Sequence, residues 1–251
     1  MDRIRPHLHV DTQLDVGLKA VDRDLGLVAA GRPGGDGLAH VHLEQLPRCP
    51  VCLRMKNKHL PITDVGRFVQ PRPGLLFHMD LKTVRTRSIN HEHYIVDIID
   101  DNSDKPWIYC LRKKSDAFTL ALQVFVNTVC KPRGIHYFAL RIDNAGELTS
   151  HEVQAYCAEN GIHLVPVPAY RHAFNGVAEK FFDTLLCMIR CMLESTHMPT
   201  FLWNHAARHA CRLIGVCPKA PDWTTPNWKW DGGPPDVSAL RTFGCRVYIH
   251  V

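Results

Sequence analysis

The sequence lacks any uninterrupted apolar run of about 18 residues, the length a membrane-crossing helix needs. Its most apolar segment, Ala117 to Val129, is broken by Thr119, Gln123, Asn127 and Thr128, so no membrane span is expected. The amino terminus mixes Asp2, Arg3, Arg5, Asp11 and Asp15 with no apolar stretch of the signal-peptide kind, and secretion is not expected. There are no repeats at solenoid periods, and no Lys and Arg run dense enough to read as a nuclear import signal. What is present is a chain of 251 residues with 45% hydrophobic and 22% charged side chains. That balance excludes wholesale disorder, a collagenous chain and a coiled coil, and it suffices for one good-sized core with a small appendage. Ten cysteines in a chain not expected to be secreted point to thiols or metal ligands, not to a disulfide framework.

The net charge of +5 is unevenly placed. Residues 40–73 carry six basic side chains, Arg48, Arg54, Lys56, Lys58, Arg67 and Arg72, against two acidic ones. A polyanion-binding segment and a solvated basic loop both fit, and charge alone does not choose between them.

Residues 1–37 are poorly patterned and end in a Gly and Pro cluster, which reads as a disordered lead-in. A short segment with His40, His42, Cys49 and Cys52 follows, and Pro61, Pro71 and Pro73 mark a connector up to residue 73. From there strand and helix signals alternate. Leu75 to Val84, His93 to Ile99 and Trp107 to Leu111 read as a meander of three strands. Ser115 is the expected N-cap of a helix whose core face is Ala117, Leu120, Ala121, Val124 and Phe125. Ile135 to Ile142 is a fourth strand; a helix opens at Thr149 or Ser150 and ends at Gly161; Ile162 to Val167 is a fifth strand. Helices are expected over about Gly176 to Glu194 and Thr200 to Ile214, and then a loop-rich tail. This is the succession of a ribonuclease H-like α/β fold, a mixed five-stranded sheet flanked by helices.

Three acidic residues stand out on that skeleton. Asp80 sits inside the first strand, Asp143 ends the fourth, and Glu179 lies in the first turn or so of a helix. If the first and fourth strands pair, the two aspartates lie side by side and the helix can bring Glu179 to them. Converging carboxylates repel unless a cation joins them. Two Mg²⁺ or Mn²⁺ ions would answer this and could clamp the attacking and leaving oxygens of a phosphodiester displacement. Asp97, Asp100 and Asp101 are read as turn caps at the end of the second strand, with Asp100 or Asp101 able to approach such metals. His78 is expected to face away from Asp80.

At these residues the sequence resembles the integrase region of copia-type LTR retrotransposon Pol polyproteins, from about Leu38 to Val251. The resemblance is carried by Tyr94-Ile95-Val96-Asp97-Ile98-Ile99-Asp100-Asp101, by Arg141-Ile142-Asp143-Asn144-Ala145-Gly146-Glu147, by Asn175-Gly176-Val177-Ala178-Glu179, and by residues 235–245 in the tail. The 35 residues between Asp143 and Glu179 match the spacing of the family's Asp, Asp and Glu trio. The resemblance implies 3′ end processing and strand transfer of retroelement cDNA into target DNA, with Asp80, Asp143 and Glu179 as catalytic Mg²⁺ or Mn²⁺ ligands and no covalent protein intermediate. It implies DNA contacts around Asn144, Arg171, Asn175, Gly176 and Lys180, homo-multimers, nuclear action after a cytoplasmic particle stage, and no membrane. It divides the chain into a His/Cys zinc-binding module and linker at 38–73, a catalytic core at 74–216 and a family tail at 217–251.

The sequence also departs from the family. Ala145 stands where a second Gly is usual, the loop Arg171 to Gly176 lacks the usual glutamines, and Asp183 replaces a basic residue one turn beyond Glu179. Cys49 and Cys52 have zinc spacing and His40 matches the family's second His, but the first His position holds Gly35, for which His42, or His7 or His9 reaching back, could substitute. Cys187 and Cys191 look like core packing. Two further readings stay open: a decayed or domesticated derivative that binds nucleic acid without transfer, and a general nuclease of the same fold.

Overall fold

The computed structural model describes residues 69–142, 150–166 and 176–246. His40, His42, Cys49, Cys52, Asp143, Asn144, Arg171 and Asn175 lie outside the described residues.

Runs rich in β-branched and aromatic side chains form three antiparallel strands, β1 (Leu76–Thr83), β2 (Tyr94–Asp100) and β3 (Pro106–Leu111). β4 (Phe138–Ile142) and β5 (Ile162–Pro166) then join in parallel, and the sheet order is β3-β2-β1-β4-β5. β1 is therefore central, antiparallel to β2 and parallel to β4, with Met79 opposite Ile142 as the last described pair. The pairing of first and fourth strands expected from the sequence is present.

Both faces of this sheet are covered, which is why the first five residues of β1 and the last six of β2 are buried without alternation. On one face Phe77, Met79, Val96, Ile98, Leu140 and Ile142 pack with helix α1 (117–130) and with Val153 and Cys157 of α2 (His151–Glu159). On the other, Ile95 and Ile99 pack with α3 (Gly176–Ser195) and α4 (Trp203–Val216). α3 buries Ala178, Phe181, Phe182, Leu185, Ile189 and Leu193 at helical spacing. Among the described residues no helix is long and apolar enough to cross a membrane.

Three local differences from the sequence reading have physical causes. α1 runs through Ala117–Leu122, Gln123–Phe125 and Val126–Cys130, with i→i+5 hydrogen bonding in its first and last stretches. These wider turns change the period of the buried face. Ala117, Phe118, Ala121, Leu122, Phe125 and Val126 are buried, whereas Leu120 and Val124 are exposed. The helix is entered at Asp116, not Ser115, and no side chain caps it. The tail contains a helix, α5 (Pro226–Asp231): Thr225 Oγ1 accepts from Trp228 N–H at 3.0 Å, Pro226 opens it, and Gly232 closes it at φ +78°. α5 places Trp230 on Phe77 and Trp107, with ring centroids 5.9 and 4.9 Å away.

Candidate active site

Asp80 is the fifth residue of β1 and only 5% exposed. A carboxylate there needs compensation, and it has two sources. Oδ1 accepts the Leu81 N–H at 2.7 Å, and Oδ2 lies 2.7 Å from Lys82 Nζ. Lys82 is two residues along the same strand and so shares Asp80's face; its side chain remains 36% exposed.

Directly across the β1–β2 ladder from Asp80 stands Asp97. It is fully buried, and among the described residues neither carboxylate oxygen has a partner from another residue. Burial pushes its pKa well above the usual carboxylate range and the charge of Asp80 adds to this, while Lys82 and its own amide pull more weakly the other way. The sequence reading of Asp97 as a turn cap is therefore corrected. β2 continues to Asp100, so alternation puts Asp97 with Ile95 and Ile99 on the face that meets α3 and α4.

Asp100 and Asp101 do cap, but at the far end. Asp100 accepts from Gly74 N–H (2.7 Å), Ser103 N–H (2.8 Å) and Ser103 Oγ (2.7 Å), and it pairs in register with Phe77, three residues before Asp80. Asp101 accepts from Gln70 N–H at 2.8 Å and hydrogen-bonds His78 Nε2 at 2.8 Å. His78 does not face away from Asp80: residues two apart on a strand share a side, and its ring is buried below Asp80 in this pair.

Glu179 is half-buried in the first turn of α3. Its neighbours Ala178, Phe181 and Phe182 anchor that turn in the cluster that holds Ile95 and Ile99. The three acids meet electrostatically at Lys82. Partial burial pulls its pKa down, but the hydrogen bond and charge of Asp80 and the charges of Asp97 and Glu179 outweigh this and leave it raised. Among the described residues no three His, Cys, Asp or Glu side chains gather closely enough to hold a metal ion; the cation in their midst is Lys82. Lys180 and Asp183 are exposed on α3, and Gly176 opens that helix with no described residue within 4 Å of where a Cβ would stand.

Lys82 and Asp97 are the members that sequence reasoning missed. The signal was present as polar residues at period two on both central strands, Asp80-x-Lys82 and Ile95-x-Asp97-x-Ile99.

A family model described as "Integrase core domain" matches residues 70–172. The chain is 37% identical over 166 residues to the retrovirus-related Pol polyprotein from transposon TNT 1-94 of Nicotiana tabacum, covering 65% of this chain and 12% of that polyprotein. It is 25% identical over 208 residues to the corresponding polyprotein from transposon RE2 of Arabidopsis thaliana, covering 81% and 14%. The chain thus spans about an eighth of the length of these relatives. Among solved structures, a chain of the simian T-cell lymphotropic virus intasome in complex with PP2A regulatory subunit B56 gamma superposes with TM-score 0.56 at 15% identity, over 77% of this chain and 68% of that one. The HTLV-2 integrase catalytic core domain in complex with magnesium, in its trimeric form, gives 0.50 at 15% identity, over 63% and 97%. At that identity the two structures speak for the fold, a mixed five-stranded sheet with helices like that of retroviral integrase cores.

Proposed function

We propose, from the match of residues 70–172 to the family model described as "Integrase core domain", that the protein integrates DNA by divalent-metal-dependent polynucleotidyl transfer, as an integrase of the copia type. The observation that carries this reading is the placement of Asp80. It is a buried acid on the central strand, on the face covered by the helix that bears Glu179, one residue beyond the β1–β4 pair Met79 and Ile142. Asp143 is the residue that follows Ile142 in the sequence.

The donor chemistry suits a hard divalent cation. Asp80 Oδ2 already faces an ammonium, and Asp97 holds two buried acceptor oxygens that have no partner from another residue among the described residues. Asp80, Asp143 and Glu179 would hold two Mg²⁺ or Mn²⁺ ions, which when bound supply activation of the attacking hydroxyl and neutralisation of the departing oxygen. The strand fixes the Asp80 backbone, and the Leu81 N–H holds Oδ1, so that Oδ2 is the oxygen presented to a cation. In end processing a water oxygen bonds to phosphorus as the 3′ P–O bond breaks. In joining, the new 3′-hydroxyl bonds to a target phosphorus and the target's P–O3′ bond breaks. One phosphodiester is exchanged for another, so joining needs no outside energy source and no protein nucleophile. The buried thiols suit that: burial pushes Cys110, Cys130 and Cys211 up to about 12 and Cys157 to about 11.

On the same reading, Asn144, Arg171, Asn175, Gly176 and Lys180 contact DNA, and His40, His42, Cys49 and Cys52 supply a zinc module ahead of the core. The active form is a homo-multimer that joins two cDNA ends in the nucleus. One observation favours a second reading, nucleic-acid binding without transfer. Asp183 is exposed one helical turn beyond Glu179, where it opposes an approaching phosphate backbone.

Incubating the full chain and its Glu179→Gln variant with Mn²⁺ and a labelled duplex distinguishes the readings on a sequencing gel. Products longer than the input, made by the wild type alone, are expected. Shorter products alone would mark a nuclease, and bound DNA without either product would mark the non-catalytic derivative.

A further inference from the structure

We propose that the edge of the sheet toward which β1 runs from Asp80 is a binding surface for duplex DNA, which grips phosphates through Arg85 and Arg87 of the β1–β2 loop and Arg112, Lys113 and Lys114 after β3. The inference rests on the reading of the chain as acting on DNA, and adds to it where the duplex backbone is held, with no metal ion involved.

Placement is the first ground. Thr83 stands opposite Tyr94 and Tyr94 opposite Leu111, so β1 and β3 end level with each other, two strand spacings or about 10 Å apart. The five basic residues follow from those two ends, and all are exposed. β4 is parallel to β1 and ends at the same edge, at Ile142. Thr83 lies three residues, or about 10 Å, beyond Asp80. A duplex laid along this edge passes the candidate active site.

Charge is the second. Within residues 83–93 and 111–115 the sole acid is Glu92. It is buried, and its carboxylate accepts from Ser88 Oγ, Asn204 Nδ2 and Arg208 Nη2. Asp116 turns one oxygen back to the Lys113 N–H at 3.1 Å. Toward the opposite edge, by contrast, the cations are paired: Lys105 and Arg133 with Asp231, Lys219 with Asp104, and Lys229 with Asp222. Positive potential is thus left at one end of the sheet, and over about 10 Å of its axis a duplex presents about six phosphates to meet it.

The third is a pinned frame. Arg112 Nε donates to Asn90 O at 3.0 Å and joins the two loops. The Ile89 N–H donates to Phe201 O and Trp203 Nε1 donates to Thr86 O, each at 2.8 Å, which ties the β1–β2 loop to the start of α4. Cations carried on loops held this way lose less freedom on binding than cations on loose ones.

The test is binding of a fluorescein-labelled DNA duplex of about 20 base pairs to the full chain in EDTA, read by fluorescence anisotropy over about 50–300 mM NaCl. The triple variant Arg112→Gln, Lys113→Gln, Lys114→Gln is expected to bind about tenfold more weakly at about 100 mM NaCl, with the slope of log affinity against log salt smaller by about two to three. The double variant Arg85→Gln, Arg87→Gln is expected to lower the slope by about two, and it keeps the test open should loss of the Arg112–Asn90 bond disturb the loops. Lys219→Gln, Lys229→Gln removes the same charge as that double variant at the opposite edge and is expected to keep wild-type affinity and slope. Circular dichroism checks the fold of each. Wild-type affinity and slope in both folded edge variants would overturn the surface and leave the DNA reading standing. An equal loss in Lys219→Gln, Lys229→Gln would also overturn it, by marking the effect as one of net charge. A loss confined to one loop would remove the other loop's residues from the surface. Failure of the wild type to bind the duplex even at the lowest salt would sink the DNA reading itself, and the surface with it.

Discussion

At the scale of single residues, Asp97 makes the plainest thermodynamic statement. Its pKa is raised in the folded protein, first by burial and then by Asp80. As pH rises past about 4 the unfolded chain releases this proton before the folded one does, so stability is lost progressively above that pH. Asp97→Asn cannot ionise. In metal-free buffer it is expected to exceed the wild type in stability by about 1–3 kcal/mol at pH 8, with the margin shrinking toward pH 5. Thermal unfolding at the two pH values measures this, as a gap of several degrees that narrows in acid. The cysteines give a second check. Cys130 and Cys157 are buried thiols with raised pKa, whereas Cys245 is exposed. Brief alkylation of the native protein followed by peptide mapping should label Cys245 well ahead of those two, and denaturant should remove the difference. Asp80 and Glu179 were legible from sequence because acids in an apolar strand and in a helix's first turn are conspicuous. Lys82 and Asp97 were not, because a turn cap and a solvated lysine are the ordinary readings of those residue types, and only the strand register places them opposite and beside Asp80.

At the scale of elements, the strands were readable because their β-branched and aromatic runs are bounded by turn residues. Helix faces were readable only where the backbone keeps a period of 3.6. In α3 it does, and the apolar residues fall on one side; in α1 the wide turns send Leu120 and Val124 to solvent. α5 went unread because six residues are too few to show a period, although Thr225-Pro226 and Gly232 are ordinary start and stop signals. Its contribution is large for its length. Trp230 is 6% exposed and joins the aromatic group around Phe77. Arg133 stacks on its ring with its guanidinium carbon 5.0 Å from the centroid, and both Arg133 and Lys105 pair with Asp231. Trp230→Ala is expected to cost about 3–5 kcal/mol in urea unfolding, a size that would place α5 within the folding unit and not in a dispensable tail. A loss under about 1 kcal/mol would show the opposite.

At the scale of the whole molecule, the sheet order follows from connection length and hydrophobic pattern. Short links make β1 to β3 a meander, while the helical crossovers that lead to β4 and β5 require parallel pairing. β1 is thereby central, and its acid is covered by the sheet's neighbours and by α3. Glu92 shows how firmly that covering layer is tied down. It is buried between the β1–β2 hairpin and α4, accepting from Ser88 Oγ at 2.9 Å, Asn204 Nδ2 at 2.6 Å and Arg208 Nη2 at 2.9 Å. What the sequence could not convey is the metal-free charge balance at the site, because that depends on a cross-strand acid and a same-strand lysine that only the folded sheet brings together.

The central claim is that Asp80, Asp143 and Glu179 act as one catalytic set on DNA. Its most direct measurement is strand transfer by the full chain with Mn²⁺ and a labelled duplex, comparing the wild type with Asp80→Asn, Asp143→Asn and Glu179→Gln. Each variant is expected to lose the longer products entirely while keeping its fold and most of its duplex affinity. Transfer by the wild type that persists in all three variants would contradict the account.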